Sequence, residues 1–178
     1  MAVLALWSPV DLMLGVVGPL GAIAAAGTAL LIDLDPKGPH YGGPHSLAEL
    51  VEKGPTREQL EPTRSGPAVL RNGGVSPEDA EEVVTALLER WPKVVLRCAP
   101  TQDVSTGAVA LLPLLPAPFT PRVEGAAVYQ QTPVSRGRPR NTHVLPIPRS
   151  GTVKALLAGV RPRSRDRWIR SFSQVWEL

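Results

Sequence analysis

Two carboxylates one residue apart, Asp33 and Asp35, end the apolar run A-L-L-I-D-L-D-P before Pro36 and Gly38 break the chain. Acids at the end of a buried strand are placed to hold a metal ion or to orient a water. The loop that follows, G-P-H-Y-G-G-P-H, adds His40, Tyr41 and His45. Two imidazoles and two carboxylates contain the donors of a metal site, but their spacing fits neither a helix face nor a zinc pattern, so no metal is assigned. Ser105 and Thr106 lie near Asp103 with no histidine close in sequence, and no nucleophile–base pair can be built from them. Cys98 sits within the apolar stretch V-V-L-R-C-A and reads as a small buried hydrophobe. As the only cysteine it excludes an internal disulfide.

Length and composition set the frame for these residues. A chain of 178 residues, 43% hydrophobic and 20% charged, is long enough to bury a substantial core and reads as one folded unit. Twenty prolines and 16 glycines imply many turns. The net charge of +3 hides a segregation. Residues 1–133 hold 9 basic and 14 acidic side chains, whereas residues 134–178 hold 10 basic and 2 acidic. The chain is therefore divided into an α/β body, 1–133, and a basic segment, 134–178, which belongs to the same domain or is appended to it. Such a segment seeks an anionic surface or the acidic body of its own chain. Leu12–Ile32 is 21 residues without a charge, long enough for a membrane span. No lysine or arginine precedes it, and its glycines, Pro19 and alanines favour a buried helix followed by a strand.

The elements that must position the acids alternate. Apolar runs predict strands at 3–7, 29–34, 68–71, 94–99, 108–115 and 144–147, the first two joined by a small-residue helix over 18–26. Ser46 with Glu49 opens a helix that Gly54 stops. Ser76-Pro77-Glu78-Asp79 opens another that runs to about Arg90. The cationic stretch 132–141 is expected to be a mobile loop. Strand–helix–strand alternation predicts a three-layer α/β fold, with a mostly parallel sheet and helices on both faces.

The segments A-V-L-A-L-W-S-P, L-L-I-D-L-D-P-K-G-P and S-L-A-E-L-V-E-K-G together resemble the ParA/MinD family of partition and division-site ATPases, which includes the TadZ/CpaE proteins of pilus assembly. The likeness spans roughly residues 1–115, and L-L-I-D-L-D-P is its specific part. It implies a P-loop NTPase-like fold, here truncated and degenerate. The family's deviant P-loop, K-G-G-x-G-K-[ST], wraps phosphates with backbone N–H groups, lysines and a hydroxyl on Mg²⁺. Val10–Pro19 stands in its place with no lysine, serine or threonine, and with Asp11 facing where phosphate would be. V-V-L-R-C-A-P puts Arg97 where the family keeps a Mg²⁺-linked aspartate, and a cation there repels the metal. Asp33, Asp35 and Arg97 are thus vestigial, and the two aspartates are expected to cap a strand end and bond loop N–H groups. No cofactor is expected.

The C-terminal S-R-D-R-W-I-R-S-F-S-Q-V-W-E-L predicts an amphipathic helix within 161–178, capped at Ser164. Trp168, Ile169, Phe172, Val175 and Trp176 share one face, with Arg163, Arg165, Arg167 and Arg170 available to phosphates. That face suits a membrane interface, a protein groove or this protein's own sheet, and MinD-type proteins end in a similar helix. The function implied is a non-catalytic pseudo-ATPase, a cytoplasmic scaffold or localisation factor peripheral to the inner membrane, in pilus assembly, division or partition. Its partners would be another protein, an anionic membrane surface or a second copy, with nucleic acid weakly supported. The competing readings are an active ATPase with an atypical loop and a single-span protein anchored through residues 12–32.

Overall fold

Strand β1 (Ala2–Trp7), helix α1 (Leu12–Ala26) and strand β2 (Ala29–Asp33) form the first crossover. They are seen in a computed structural model describing residues 1–62, 66–100, 107–137, 142–162 and 165–178. Then follow α2 (Leu47–Lys53), α3 (Arg57–Leu60), β3 (Pro67–Leu70), α4 (Glu81–Arg90), β4 (Lys93–Arg97) and β5 (Val109–Leu114). The chain closes with β6 (Ala127–Gln131), β7 (His143–Leu145), α5 (Ser150–Leu157), α6 (Arg167–Ser171) and a 3-10 turn, Val175–Glu177. The strands form one sheet in the order β3-β2-β4-β1-β5-β6-β7, parallel at every pairing. The predicted three-layer α/β architecture is what the chain builds, with a sheet that is wholly rather than mostly parallel.

Each face has its own core. On one, α1, α5 and α6 cover Leu4, Leu6, Leu31, Val95, Leu111 and Leu145. On the other, α2 and α4 bring Leu47, Leu50 and Leu87 onto Leu30, Ile32 and Val94. Over β5 and β6 that second face is closed by Trp7 and Val123 instead of a helix. Ser46 and Glu49 form the reciprocal box at α2 that their spacing predicts, whereas Ser76 closes a turn over 77–80 and α4 begins only at Glu81, not at the predicted Pro77.

The fold departs from the sequence-based expectation in three further respects. First, α1 starts six residues before the predicted Gly18, running through Gly15, Gly18 and Pro19. These residues disfavour a helix locally, and burial against the sheet overrides them. The run 12–32 is therefore a buried helix, a turn and a buried strand, and no described helix is long and apolar enough to cross a membrane. Second, α3, β6 and α5 appear where no element was predicted. In 132–141, Thr132–Ser135 is a hydrogen-bonded turn, while 138–141 lie outside the described residues.

The third departure is the C-terminus. One helix over 161–178 is predicted, but α6 has five residues, capped by Asp166 through the N–H groups of Trp168 and Ile169. Ser164 and Arg163 lie outside the described residues. Trp168, Ile169, Phe172 and Val175 are not offered to a membrane: all four are buried in the core under α1. Half-buried Trp176 donates its Nε1 proton to the Ala22 carbonyl at 3.0 Å. The physical reason lies in α1, where a Cβ on Gly21 would press into the rings of Trp168 and Phe172. The glycine opens a slot, the rings fill it edge to face at 4.8 Å, and the Trp168 indole bonds Gln130 at 2.7 Å. Phe172→Ala should therefore lower unfolding stability in a urea titration by about 3–5 kcal/mol. A loss below about 0.5 kcal/mol, as at an exposed site, would contradict this packing.

Candidate functional site

Open parallel sheets take ligands at the carboxyl ends of their strands, where neighbouring strands send their connections in opposite directions. Here those neighbours are β1, whose chain crosses toward β2, and β4, whose chain crosses toward β5. Asp33 ends β2 and Arg97 ends β4, directly opposite each other in register. Both side chains point to the α1 face of the sheet, and both are buried, 0% and 3% exposed. Arg97 Nη1 donates to both Asp33 carboxylate oxygens at 3.0 Å and to the Pro39 carbonyl at 2.8 Å. Its Nη2 donates to Asp35 Oδ2 at 2.9 Å.

Backbone donors complete the cluster. Asp33 Oδ1 accepts from the Asp35 N–H at 3.1 Å, and Asp35 Oδ1 accepts from Lys37 and Gly38 at 3.1 and 2.9 Å. Each of the four carboxylate oxygens thus has a donor. A Cβ on Gly38 would collide with the Asp35 carboxylate and the guanidinium, so only glycine fits. The Tyr41 ring stacks over Arg97, 5.3 Å from its centroid to Cζ, and its hydroxyl donates to the Val16 carbonyl of α1 at 2.9 Å. Asn72, fully buried, donates to the Asp33 carbonyl and accepts from Gly74 N–H.

The electrostatics follow from burial. Loss of water pushes the Asp33 carboxyl up to about 6, against the lowering effect of Arg97 and the Asp35 N–H and with the help of the Asp35 charge. Burial also raises the Tyr41 hydroxyl far above its ordinary range, with Arg97 opposing it. The Cys98 thiol, one residue past β4, is pushed up to about 11 by burial and is no nucleophile at neutral pH.

At the end of β1 there is little room for a phosphate-binding loop. Only Ser8–Asp11 separate β1 from α1, and most of the stretch expected to replace a P-loop is helix. Ser8 is buried and donates to the Leu111 carbonyl at 2.7 Å. Asp11 accepts from the Leu14 N–H at 2.9 Å, so a carboxylate already caps the helix end where an anion would bind.

The other sequence candidates are dispersed. His40 and His45 are exposed, and no group of three or more His, Cys, Asp or Glu among the described residues is arranged to hold a metal. Asp103, Ser105 and Thr106 lie outside the described residues. Arg165, Arg167 and Arg170 are exposed, although the aromatic face beside them is not. The expectation that the aspartates bond loop N–H groups matches their geometry. Unforeseen was Arg97 as their direct partner, instead of a cation merely hostile to metal. The signal was available, because a lone arginine in an apolar strand needs a buried carboxylate.

Arg97→Met should destabilise the protein by about 3–5 kcal/mol, because it strands two buried acids without a counter-ion. Asp33→Asn retains hydrogen bonding and removes a desolvated charge, so its loss at pH 7 should stay below about 2 kcal/mol. The two also separate by pH. A raised folded-state pKa means the native state holds its proton longer than the unfolded chain. The Asp33 contribution is then full below about pH 4 and lost as pH climbs through about 6. Urea titrations across pH 4–7 should show this downward component in the parent and not in Asp33→Asn; identical profiles would contradict it. Compared with known proteins, this chain matches no family model and no curated sequence.

Proposed function

We propose that this chain is a ParA/MinD-like pseudo-ATPase, a non-catalytic scaffold or localisation factor that works by docking on a protein or a membrane surface in pilus assembly, division or partition. The observation that carries this is the four-residue β1–α1 connection closed by the Asp11 cap. A family P-loop needs seven residues with two lysines at that position. Here a carboxylate and a helix already begun stand where the phosphates would lie, and like charges there oppose binding. Arg97 supports the same conclusion, since its guanidinium lies between the two acids that a Mg²⁺ ion would need. An arginine-rich terminus without a recognition motif gives nucleic acid no preference over other anionic partners.

Calorimetric titration of the purified protein with ATP and Mg²⁺ should give no binding heat, and phosphate release should stay at the uncatalysed level. A dissociation constant in the low micromolar range would contradict the proposal.

A further inference from the structure

Four neighbouring strands, β1, β5, β6 and β7, lead at their carboxyl ends into connections that each raise an apolar side chain into solvent, a helix start after β1 and loops after the other three. Leu12 and Met13 follow β1, Phe119 follows β5, Val134 follows β6 and Ile147 follows β7. Phe119 is 74% exposed and Leu12 60%; singly such exposure is ordinary, but these residues share one edge of the sheet. Because the sheet is parallel throughout, all four connections leave from that edge. Hydroxyl groups pin them there. Ser8 donates to the Leu111 carbonyl, Thr132 and Ser135 to that of Leu114, and Thr120 to that of Leu115. The Pro146 carbonyl accepts from Gln130 at 2.8 Å. The tips are thus held in place before any partner arrives, which lowers the cost of ordering them on contact.

Cations surround this edge. Arg136 and Arg149 each follow an apolar tip by two residues, and both are exposed. Arg149 and Arg165 line one shallow cleft, and Arg149 and Arg167 line its neighbour together with Ile147. Asp11 caps α1, and Asp166 accepts from Thr152 and caps α6, while Glu124 is exposed on the β5–β6 connection that carries Phe119. The exposed acids Glu78, Asp79, Glu81 and Glu82 belong to the amino end of α4, across the sheet beyond β1.

We propose that the carboxyl edge of β1, β5, β6 and β7 docks on an anionic lipid surface, with Leu12, Met13, Phe119, Val134 and Ile147 entering the headgroup boundary and Arg136, Arg149, Arg165 and Arg167 meeting lipid phosphates. Separate convex tips suit a bilayer, which needs no matching pocket for each; a protein partner would have to supply them all. The arginines favour anionic over neutral lipid. This deepens the docking proposal by naming the partner, and it moves the membrane contact from the buried aromatic face of the C-terminus to the connections at the carboxyl edge of the strands.

The test is co-sedimentation of the full chain, without nucleotide, with vesicles of phosphatidylcholine alone or containing roughly a third phosphatidylglycerol. Nucleotide titration is a separate readout, so failure of the pseudo-ATPase proposal is distinguishable from failure here. The protein should pellet with anionic vesicles, stay in solution with neutral ones, and be released by about 0.5 M salt. Phe119→Asp and the pair Arg136→Glu/Arg167→Glu should each weaken binding about tenfold or more with unchanged melting temperature. A protein that stays in the supernatant with anionic vesicles overturns the proposal, as does binding that neither variant weakens. If Phe119→Asp alters self-association or capture of a protein while lipid binding is absent, the edge meets protein and the lipid assignment is wrong.

Discussion

A cation buried at the carboxyl end of β4 constrains the edge of the sheet over β2 and β4. Removing a guanidinium from water costs several kcal/mol unless carboxylates and further hydrogen bonds compensate it. Arg97 obtains this compensation from Asp33 and Asp35, from the Pro39 carbonyl and from the Tyr41 ring. Residues 33–41 must therefore wrap around one side chain, which explains the turn after β2, the need for glycine at position 38 and the attachment of Tyr41 to α1. The same wrapping takes every carboxylate oxygen. A pair of acids well placed for metal chemistry is instead the counter-ion of an internal cation, and the pseudo-ATPase proposal begins from that exchange.

The second constraint is the thinness of α1. It lies between the sheet and the C-terminal segment, and its small residues admit large neighbours on both sides. A Cβ on Gly18 would meet Leu111 of the sheet, and one on Gly21 would meet Trp168 and Phe172. A helix buried on two sides has to be apolar nearly all round. This accounts for a charge-free run of membrane-span length in a protein whose longest described helix has 15 residues. It also makes the basic segment 134–178 part of the fold, since β7 extends the sheet and α6 completes the core.

Much of the architecture was legible because burial on both faces writes continuous apolar runs. A-L-L-I-D is buried at every position of β2, and the Ser46 box marks α2 without tertiary help, while Ser76 marks the turn before α4 and not its first residue. The missed strand β6 lacks such marks. A-V-Y-Q-Q ends in two glutamines, one of them buried with its amide bonded to the Trp168 indole and the Pro146 carbonyl, partners 38 and 16 residues away. The site was half legible. L-L-I-D-L-D located the acids, whereas their union with Arg97 depends on β2 and β4 lying side by side, and no local pattern states strand order. The aromatic face of the C-terminus was visible as a face. Its destination was not, because the slot that receives it comes from a glycine in a helix more than a hundred residues earlier.

The central claim is that Arg97 and the aspartates form one interacting unit. A double-mutant cycle measures this most directly, comparing Arg97→Met, Asp33→Asn and the two together by equilibrium urea unfolding at pH 7. Removing both partners should cost markedly less than the sum of the separate losses, with a coupling energy of about 1–3 kcal/mol. Additive losses, with coupling below about 0.3 kcal/mol, would mean that the pair is not a unit and would contradict the account.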